Sequence, residues 1–261
     1  MCESEHDQRD LASRRAFMKT STAAAAVGIL AACGVKPAEA PAAAMAAPEE
    51  LTALTVGTLT QAARDAMTPD QIVQAFKDGN ARFREGKKIR RDFLAEQQAT
   101  AAGQFPMAVL LSCIDSRAPA EVLLNLGIGD VFNCRLAGNV DNKDILGSME
   151  FTTKLAGAKV VLVMGHSACG AVAGAIADAK LGNLTYLLAK IKPAIAATEY
   201  TGDRTAGNAA FVDAVARKNV ELTMASIRKG SPVIADLEKS GAVKIVGSFY
   251  DIATGAVDFM A

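Results

Sequence analysis

Met107-Ala-Val-Leu-Leu-Ser-Cys113-Ile-Asp115-Ser-Arg117 runs from an apolar segment straight into a group of reactive side chains. Its first half is a short, continuously apolar run opened by Pro106, which predicts a buried strand. Where that strand should end, a thiol, a carboxylate and a guanidinium follow at alternate positions. A second apolar run, Lys159-Val-Val-Leu-Val-Met-Gly165, ends the same way, in His166-Ser-Ala-Cys169-Gly170. In an open α/β sheet, groups at the carboxyl ends of neighbouring strands converge on one crevice. Cys113, His166 and Cys169 brought together there make a soft, three-ligand tetrahedral site with its fourth position open, the pattern of catalytic zinc.

Upstream, Thr68-Pro69-Asp70-Gln71 is a capping-box start with proline at the first helical position. Ile72, Val73, Phe76 and Phe83 then recur at near-helical spacing. Helices are predicted over 93–102, 119–126, 144–156, from about Ala168 to about Lys180, and over 183–197, 207–228 and 231–239. Val131-Phe-Asn-Cys-Arg135 reads as the second strand and 160–164 as the third. The segments 243–249 and 256–260, joined by Asp251-Ile-Ala-Thr-Gly255, read as a terminal hairpin. Strands alternating with helices give an α/β fold, a mostly parallel sheet flanked by helices with right-handed crossovers. No internal repeat or coiled coil is visible.

The chain has 261 residues, 51% of them hydrophobic, enough for a sizeable core in one domain. Lysine plus arginine equals aspartate plus glutamate at 28 each, so nothing points to nucleic acid as a partner. The sequence has no Trp and only two His. His6 falls in a segment expected to be removed, which leaves His166 as the sole imidazole of the mature protein.

Residues 1–33 read as an export segment rather than fold. Ser13-Arg14-Arg15-Ala16-Phe17-Met18-Lys19 looks like a twin-arginine motif, and the apolar stretch 23–32 is too short to span a bilayer. It closes in Leu30-Ala31-Ala32-Cys33, which resembles a bacterial lipobox with Cys33 as the acylated residue. An ordinary signal peptide cut near 42–47 is the alternative. Either way the protein is expected across the cytoplasmic membrane, in the periplasm or at the cell surface, and lipid-anchored if Cys33 is acylated. A folded-cargo route would let metal bind in the reducing cytoplasm before the thiols meet an oxidising compartment. Residues 34–67, rich in Ala and Pro, read as a tether with a short helix before Thr68, and 68–261 as the functional domain. Of the remaining cysteines, Cys2 lies in the leader and Cys134 is expected to be a small core residue.

The order C-x-D-S-R then H-x-x-C resembles the β-class carbonic anhydrases. So do Gly79-Asn80-x-Arg82-Phe83, Gly103-Gln104-x-Pro106, Arg135-x-Ala137-Gly138-Asn139 and Tyr250-Asp251-Ile252-x-Thr254-Gly255. The resemblance covers roughly 68–260. It implies a zinc enzyme hydrating CO2 reversibly to bicarbonate and a proton, one ion per chain, in a homodimer or higher homo-oligomer with an N-terminal helical arm lying across a second subunit. A helix packed on its own domain is the alternative for that arm. The resemblance also implies that Gln104 reaches the substrate oxygen across a subunit interface, and that Phe132, Ala137 and Phe151 line a small apolar CO2 pocket. Gln104 reads equally as a solvent-facing loop residue, and the two Phe as ordinary core.

Zinc held by two thiolates and one imidazole has its charge formally cancelled. It should therefore acidify water less than a three-histidine zinc, whose bound water has a pKa of roughly 7. Such a site benefits from an anion that accepts the hydroxide's proton and turns its lone pair toward substrate. Asp115, two residues past the first ligand, is placed for that, and Arg117 can pair with it and keep it ionised. Asp-Ser-Arg after a strand is often only a turn with a helix cap, but beside Cys113 and opposite His-x-x-Cys it reads as functional. In the family the Asp also closes onto zinc as a fourth ligand. Some β-class enzymes carry a Trp three positions before the first Cys, within an inhibitory bicarbonate site. Leu110 stands there instead, which leans toward the plant-like subgroup with an open site. Two other functions compete: hydrolysis of carbon disulfide or carbonyl sulfide on the same site, and a non-catalytic zinc-binding module in which Asp115 and Arg117 would be idle.

Overall fold

A computed structural model describes residues 57–260. The export segment with its Cys33, and residues 34–56 of the tether, lie outside the described residues. Residues 57–67, read from sequence as the end of the tether, carry a short helix α1 (Gln61–Ala66) capped by the Thr60 side chain. It lies against the domain. Arg64 is buried and donates to the Ala156 carbonyl, and Lys159 Nζ donates to the carbonyls of Asp65 and Met67, both at 2.7 Å.

Helix α2 (Pro69–Arg84) starts as its sequence dictates, with the Thr68 and Gln71 side chains each accepting from the other's backbone N–H. Its apolar face, Ile72, Val73 and Phe76, packs with Leu110 and Leu162 of this chain's own sheet. Asn80 accounts for part of its motif. Its Nδ2 donates to the Leu123 and Gly255 carbonyls at 3.1 and 2.9 Å, and its Oδ1 accepts from Val257 N–H at 3.0 Å. One side chain thus ties α2 to two distant segments.

Helix α3 (Phe93–Thr100) leads into β1 (Ala108–Ser112), which is followed by α4 (Ala120–Leu123) and β2 (Val131–Arg135). After α5 (Lys143–Glu150) come β3 (Val160–His166), α6 (Gly170–Ile176), α7 (Gly182–Ala189) and α8 (Lys192–Ala197). The long α9 (Ala209–Gly230) and α10 (Pro232–Lys239) precede β4 (Lys244–Tyr250) and β5 (Val257–Met260). The sheet order is β2-β1-β3-β4-β5, parallel except for β5, which closes the expected hairpin antiparallel to β4.

Both faces of β1 and β3 are covered, which is why they read as unbroken apolar runs rather than alternating ones. Ala108, Leu110, Val160, Leu162 and Met164 face α2. Val109, Leu111, Val161 and Val163 face Val220, Met224 and Ile227 of α9. At the carboxyl end of β3, Gly165 lets α9 come close, since a Cβ there would stand 2.6 Å from Val220 Cγ2.

Two predicted helices are interrupted. The helix expected over 144–156 ends at Glu150 and continues as a π-helical turn, Phe151–Leu155. The Thr152 and Thr153 hydroxyls both donate to the Met149 carbonyl, competition of the kind that bends helices. The helix expected over 183–197 splits between α7 and α8, where Pro193 has no N–H to continue the ladder.

Candidate metal centre

Cys113 follows β1 directly, His166 is the last residue of β3 and Cys169 is the N-cap of α6. The register pairs Ser112 with Met164, so β3 runs two residues past the end of β1 and sets His166 one step beyond the level of Cys113. All three side chains are buried, with His166 and Cys169 each 1% exposed. One ligand atom from each lies within 4.8 Å of the other two, and the sulfurs are 4.0 Å apart, both cysteines being free.

The ring of His166 has a defined tautomer. Its Nδ1 lies 2.9 Å from the Ser167 carbonyl, which can only accept, so Nδ1 carries the proton. Nε2 then presents a lone pair, is buried and has no hydrogen-bond partner. Buried acceptors without a donor are rare. An orphan imidazole nitrogen beside two sulfurs is the donor set of a soft, tetrahedral cation, and zinc fits it.

The electrostatics agree. Donation from the Cys169 thiol, outweighing the burial that opposes it, holds the Cys113 thiol down at about 4, helped by His166 and by the Gly138 N–H, 3.2 Å from the sulfur. The shared proton raises Cys169 correspondingly, and burial adds to this, while the first-turn N–H groups of Ala171 and Val172 pull the other way. Burial disfavours a charged His166, but its contacts with Cys113 outweigh this and shift it upward. A divalent cation would displace the protons of both thiols.

Backbone anchoring holds the second turn. Ser167 N–H donates to the Tyr250 carbonyl and Ser167 Oγ accepts from Ile252 N–H, both at 2.9 Å. Ala168 sits at φ +52°, with its N–H on Asp213 Oδ1 at 2.9 Å. The first turn is braced by Arg135, whose guanidinium donates to the Cys113 and Asp115 carbonyls at 2.9 and 2.6 Å.

Asp115 and Arg117 form a two-point pair: Nε to Oδ1 at 3.0 Å and Nη2 to Oδ2 at 2.8 Å, with the Arg117 backbone N–H also on Oδ1 at 2.9 Å. These bonds, the side-chain ones first, hold the carboxyl far below the usual carboxylate range against partial burial. Asp115 Oδ2 stands 3.9 Å from His166 Nε2, outside hydrogen-bond range. Asp115 is thus engaged by Arg117 and is not one of the three clustered ligand groups.

The sequence-predicted pocket residues are scattered. Ala137 adjoins Gly138 in the turn (Ala137–Asn139) that reaches Cys113. Gln104 is exposed in the loop before β1, so the five-residue strand, at about 3.3 Å per residue, separates it from Cys113. Phe132 pairs with Val109, three positions short of the strand end, and meets Phe151 edge-on with ring centroids 6.2 Å apart at the outer edge of β2. Within one chain, neither Phe nor Gln104 reaches the metal group. Cys134 is half-buried on the same strand, its thiol raised by burial.

Sequence reading gave no role to Arg135, Gly138, Asp213 or Asn219. The first two lie in a motif that was legible. The other two lie on an amphipathic helix more than forty residues beyond Cys169, where an Asp or Asn carries no local signal.

A family model described as carbonic anhydrase matches residues 108–257. A carbonic anhydrase of Mycolicibacterium smegmatis is 33% identical over 191 residues, covering 71% of this chain and 90% of that protein. Among solved structures, a β-carbonic anhydrase of Aspergillus fumigatus superposes with a TM-score of 0.58 at 23% identity, covering 73% of this chain and 89% of that one. One from Coccomyxa, in complex with acetazolamide, gives 0.56 at 25% identity, covering 62% and 74%. With the family match spanning more than half of its length, and the sheet and Cys–His–Cys group just described, the chain belongs to the carbonic anhydrase family, in its β-class.

Proposed function

We propose that Cys113, His166 and Cys169 hold one zinc ion per chain, and that the site hydrates CO2 reversibly to bicarbonate and a proton with Asp115 orienting the attacking water. The observation that carries this is an ionised carboxylate, fixed by Arg117, beside a buried, unpartnered His166 Nε2. When bound, zinc supplies the Lewis acidity that lets a water ionise near neutral pH, tempered by its two thiolate ligands. The remaining work belongs to side chains. Asp115 Oδ2 accepts a hydrogen bond from the nucleophile and so directs its lone pair toward CO2. Arg117 keeps Asp115 charged and engaged, and Arg135 holds the backbone on which both sit. For Asp115 to become a fourth ligand it must first leave Arg117. That pairing, with Leu110 fully buried in the core, supports the open arrangement of the plant-like subgroup. Tyr250, at the end of β4, is raised by burial and by Asp251, so it stays protonated and leaves proton release to water or buffer.

We also propose a homodimer or higher homo-oligomer in which Gln104, Phe132 and Phe151 complete the pocket of a neighbouring subunit. Their placement away from their own chain's metal group supports this, as does the exposure of Phe93, Leu94, Phe151 and Leu155, each more than half exposed. Twin-arginine export and acylation at Cys33 are proposed on the motifs of residues 1–33 alone. Mass spectrometry of the mature N-terminus tests them, and an unmodified start near Ala44 would refute the anchor.

Stopped-flow CO2 hydration by metal-replete protein, beside the metal content of His166→Ala, tests the central reading. Wild type should carry one zinc and turn over, while folded His166→Ala should lose the metal. Full zinc in that variant, or an inactive zinc-loaded wild type, would refute it.

A further inference from the structure

We propose that α9 sets the metal affinity of the site through two positioning residues, Asn219 and Asp213, neither of which belongs to the clustered ligand group. The inference rests on the Cys113–His166–Cys169 reading above.

Two turns carry the site's fine geometry, and each is held by a different residue of this helix. The first is the turn at Gly138. Its N–H points at Cys113 Sγ at 3.2 Å, while its carbonyl accepts from Asn219 Nδ2 at 2.7 Å. Gly138 sits at φ +68°, and a Cβ would stand 2.6 Å from Ile191 Cδ1, so a side chain there would be strained and would push Ile191 aside. Glycine by itself does not choose among its many conformations. The two hydrogen bonds, one on each flanking peptide, make that choice, and Asn219 supplies the one that does not depend on the sulfur. Asn219 is 3% exposed, so the bond is shielded from water and its loss would leave the Gly138 carbonyl without that donor in the core.

The second is the loop between His166 and Cys169. Ala168, a non-glycine residue at φ +52°, is held there by the Asp213 carboxylate on its N–H at 2.9 Å, with Arg117 Nη2 3.4 Å from its carbonyl. A left-handed alanine is disfavoured by itself. Asp213 therefore stabilises the conformation that presents His166 and Cys169 to the same point. Asp213 and Asn219 are six residues apart, about 9 Å along the axis. The close seat of α9 on Gly165, between the two turns, fixes both at once. A hydrogen bond to a coordinating thiolate and the orientation of ligand-bearing backbone are the levers by which outer-shell groups tune a metal site.

The test uses metal-free full-length protein, with zinc affinity measured by competition against a chromogenic chelator and the thiolate-to-metal charge-transfer band of the Co2+-loaded form as the second readout. Asn219→Leu should lose about 10–100-fold in zinc affinity and shift the cobalt band, because the Cys113 sulfur loses a well-aimed N–H. Asp213→Ala should weaken zinc by a similar factor. Asp213→Asn, which keeps an acceptor for the Ala168 N–H, should restore it. Asn219→Ala replaces Asn219→Leu if the latter does not fold. Ile227→Ala, buried two turns further along α9, is the control: it should lower thermal stability and leave both metal readouts alone. Unchanged affinity and band in Asn219→Leu and Asp213→Ala, or an equal loss in Ile227→Ala, would overturn the proposal. A wild type that binds neither zinc nor cobalt would instead overturn the metal centre itself.

Discussion

The two ends of β1 each carry an arginine–carboxylate cluster, one gripping a single carboxylate at two points and the other bridging two. At the carboxyl end, Arg117 grips Asp115 at 2.8–3.0 Å, with the guanidinium side chain 53% exposed. At the amino end, Arg91 pairs with Glu96 at 2.9 Å and Asp130 at 3.4 Å, and Glu96 is fully buried. Glu96 is further occupied by the Ile128 N–H and Asp130 by the Gly127 N–H. Burial raises Asp130, whereas hydrogen bonds from Arg117 lower Asp115. The amino-end carboxylates are consumed by the loops they staple. The carboxyl-end one keeps an oxygen near an orphan imidazole nitrogen. A charged pair reads as chemistry only where something beside it is left unsatisfied and reachable.

The largest effect is expected from Asp115→Asn. It should retain zinc and thermal stability but lose two to four decades of kcat, the usual worth of an orienting or acid–base group. Equal turnover at equal zinc content would leave Asp115 without a role. Arg91→Met should do the reverse. It leaves two buried carboxylates uncompensated and should cost about 3–5 kcal/mol of stability, with turnover per folded molecule unchanged. Denaturant midpoints beside zinc-normalised rates measure both.

The two carboxylates also differ in their pH dependence. Wild-type activity should climb from roughly pH 7 to 8.5 as the attacking water ionises, without an inflection from Asp115, whose titration Arg117 has pushed below the working range. Asp115→Asn should keep that climb with a lower plateau. Asp130 works with the opposite sign. A carboxyl raised in the folded state binds its proton more tightly there than when unfolded, so its penalty is present at neutral pH. It fades as pH falls through the raised value, and the deficit of Arg91→Met should shrink on mild acidification. Arg117→Lys should show the smallest effect, about tenfold in kcat, because the charge stays while the two-point grip is lost.

Cys113-x-Asp115-Ser-Arg117 and His166-x-x-Cys169 were legible because each follows an unbroken apolar run, and in a parallel sheet covered on both faces such runs must be strands whose ends meet. Asn80 and the Asp251–Gly255 turn were legible as motifs, although their hydrogen bonds were not. The helices over 144–156 and 183–197 were read too long, because the Thr152 and Thr153 hydroxyls bond locally and Pro193 lacks an N–H, while periodicity alone argues for continuation. Nor did anything in the sequence separate Arg91 from Arg117 by environment, since burial belongs to the packed chain.

Residue order alone places thiol, carboxylate and guanidinium after one buried run, and imidazole and thiol after the next. Residue type and spacing along a strand are local properties, so one dimension suffices for them. Folding adds what residue order does not carry: His166 Nε2 is left the orphan atom, Gln104, Phe132 and Phe151 lie away from their own chain's metal group, and Asp213 and Asn219 of α9 bond the two ligand turns. Those are facts about which backbone groups find partners across dozens of residues. The pairing of buried N–H and carbonyl groups is settled only when the whole core closes.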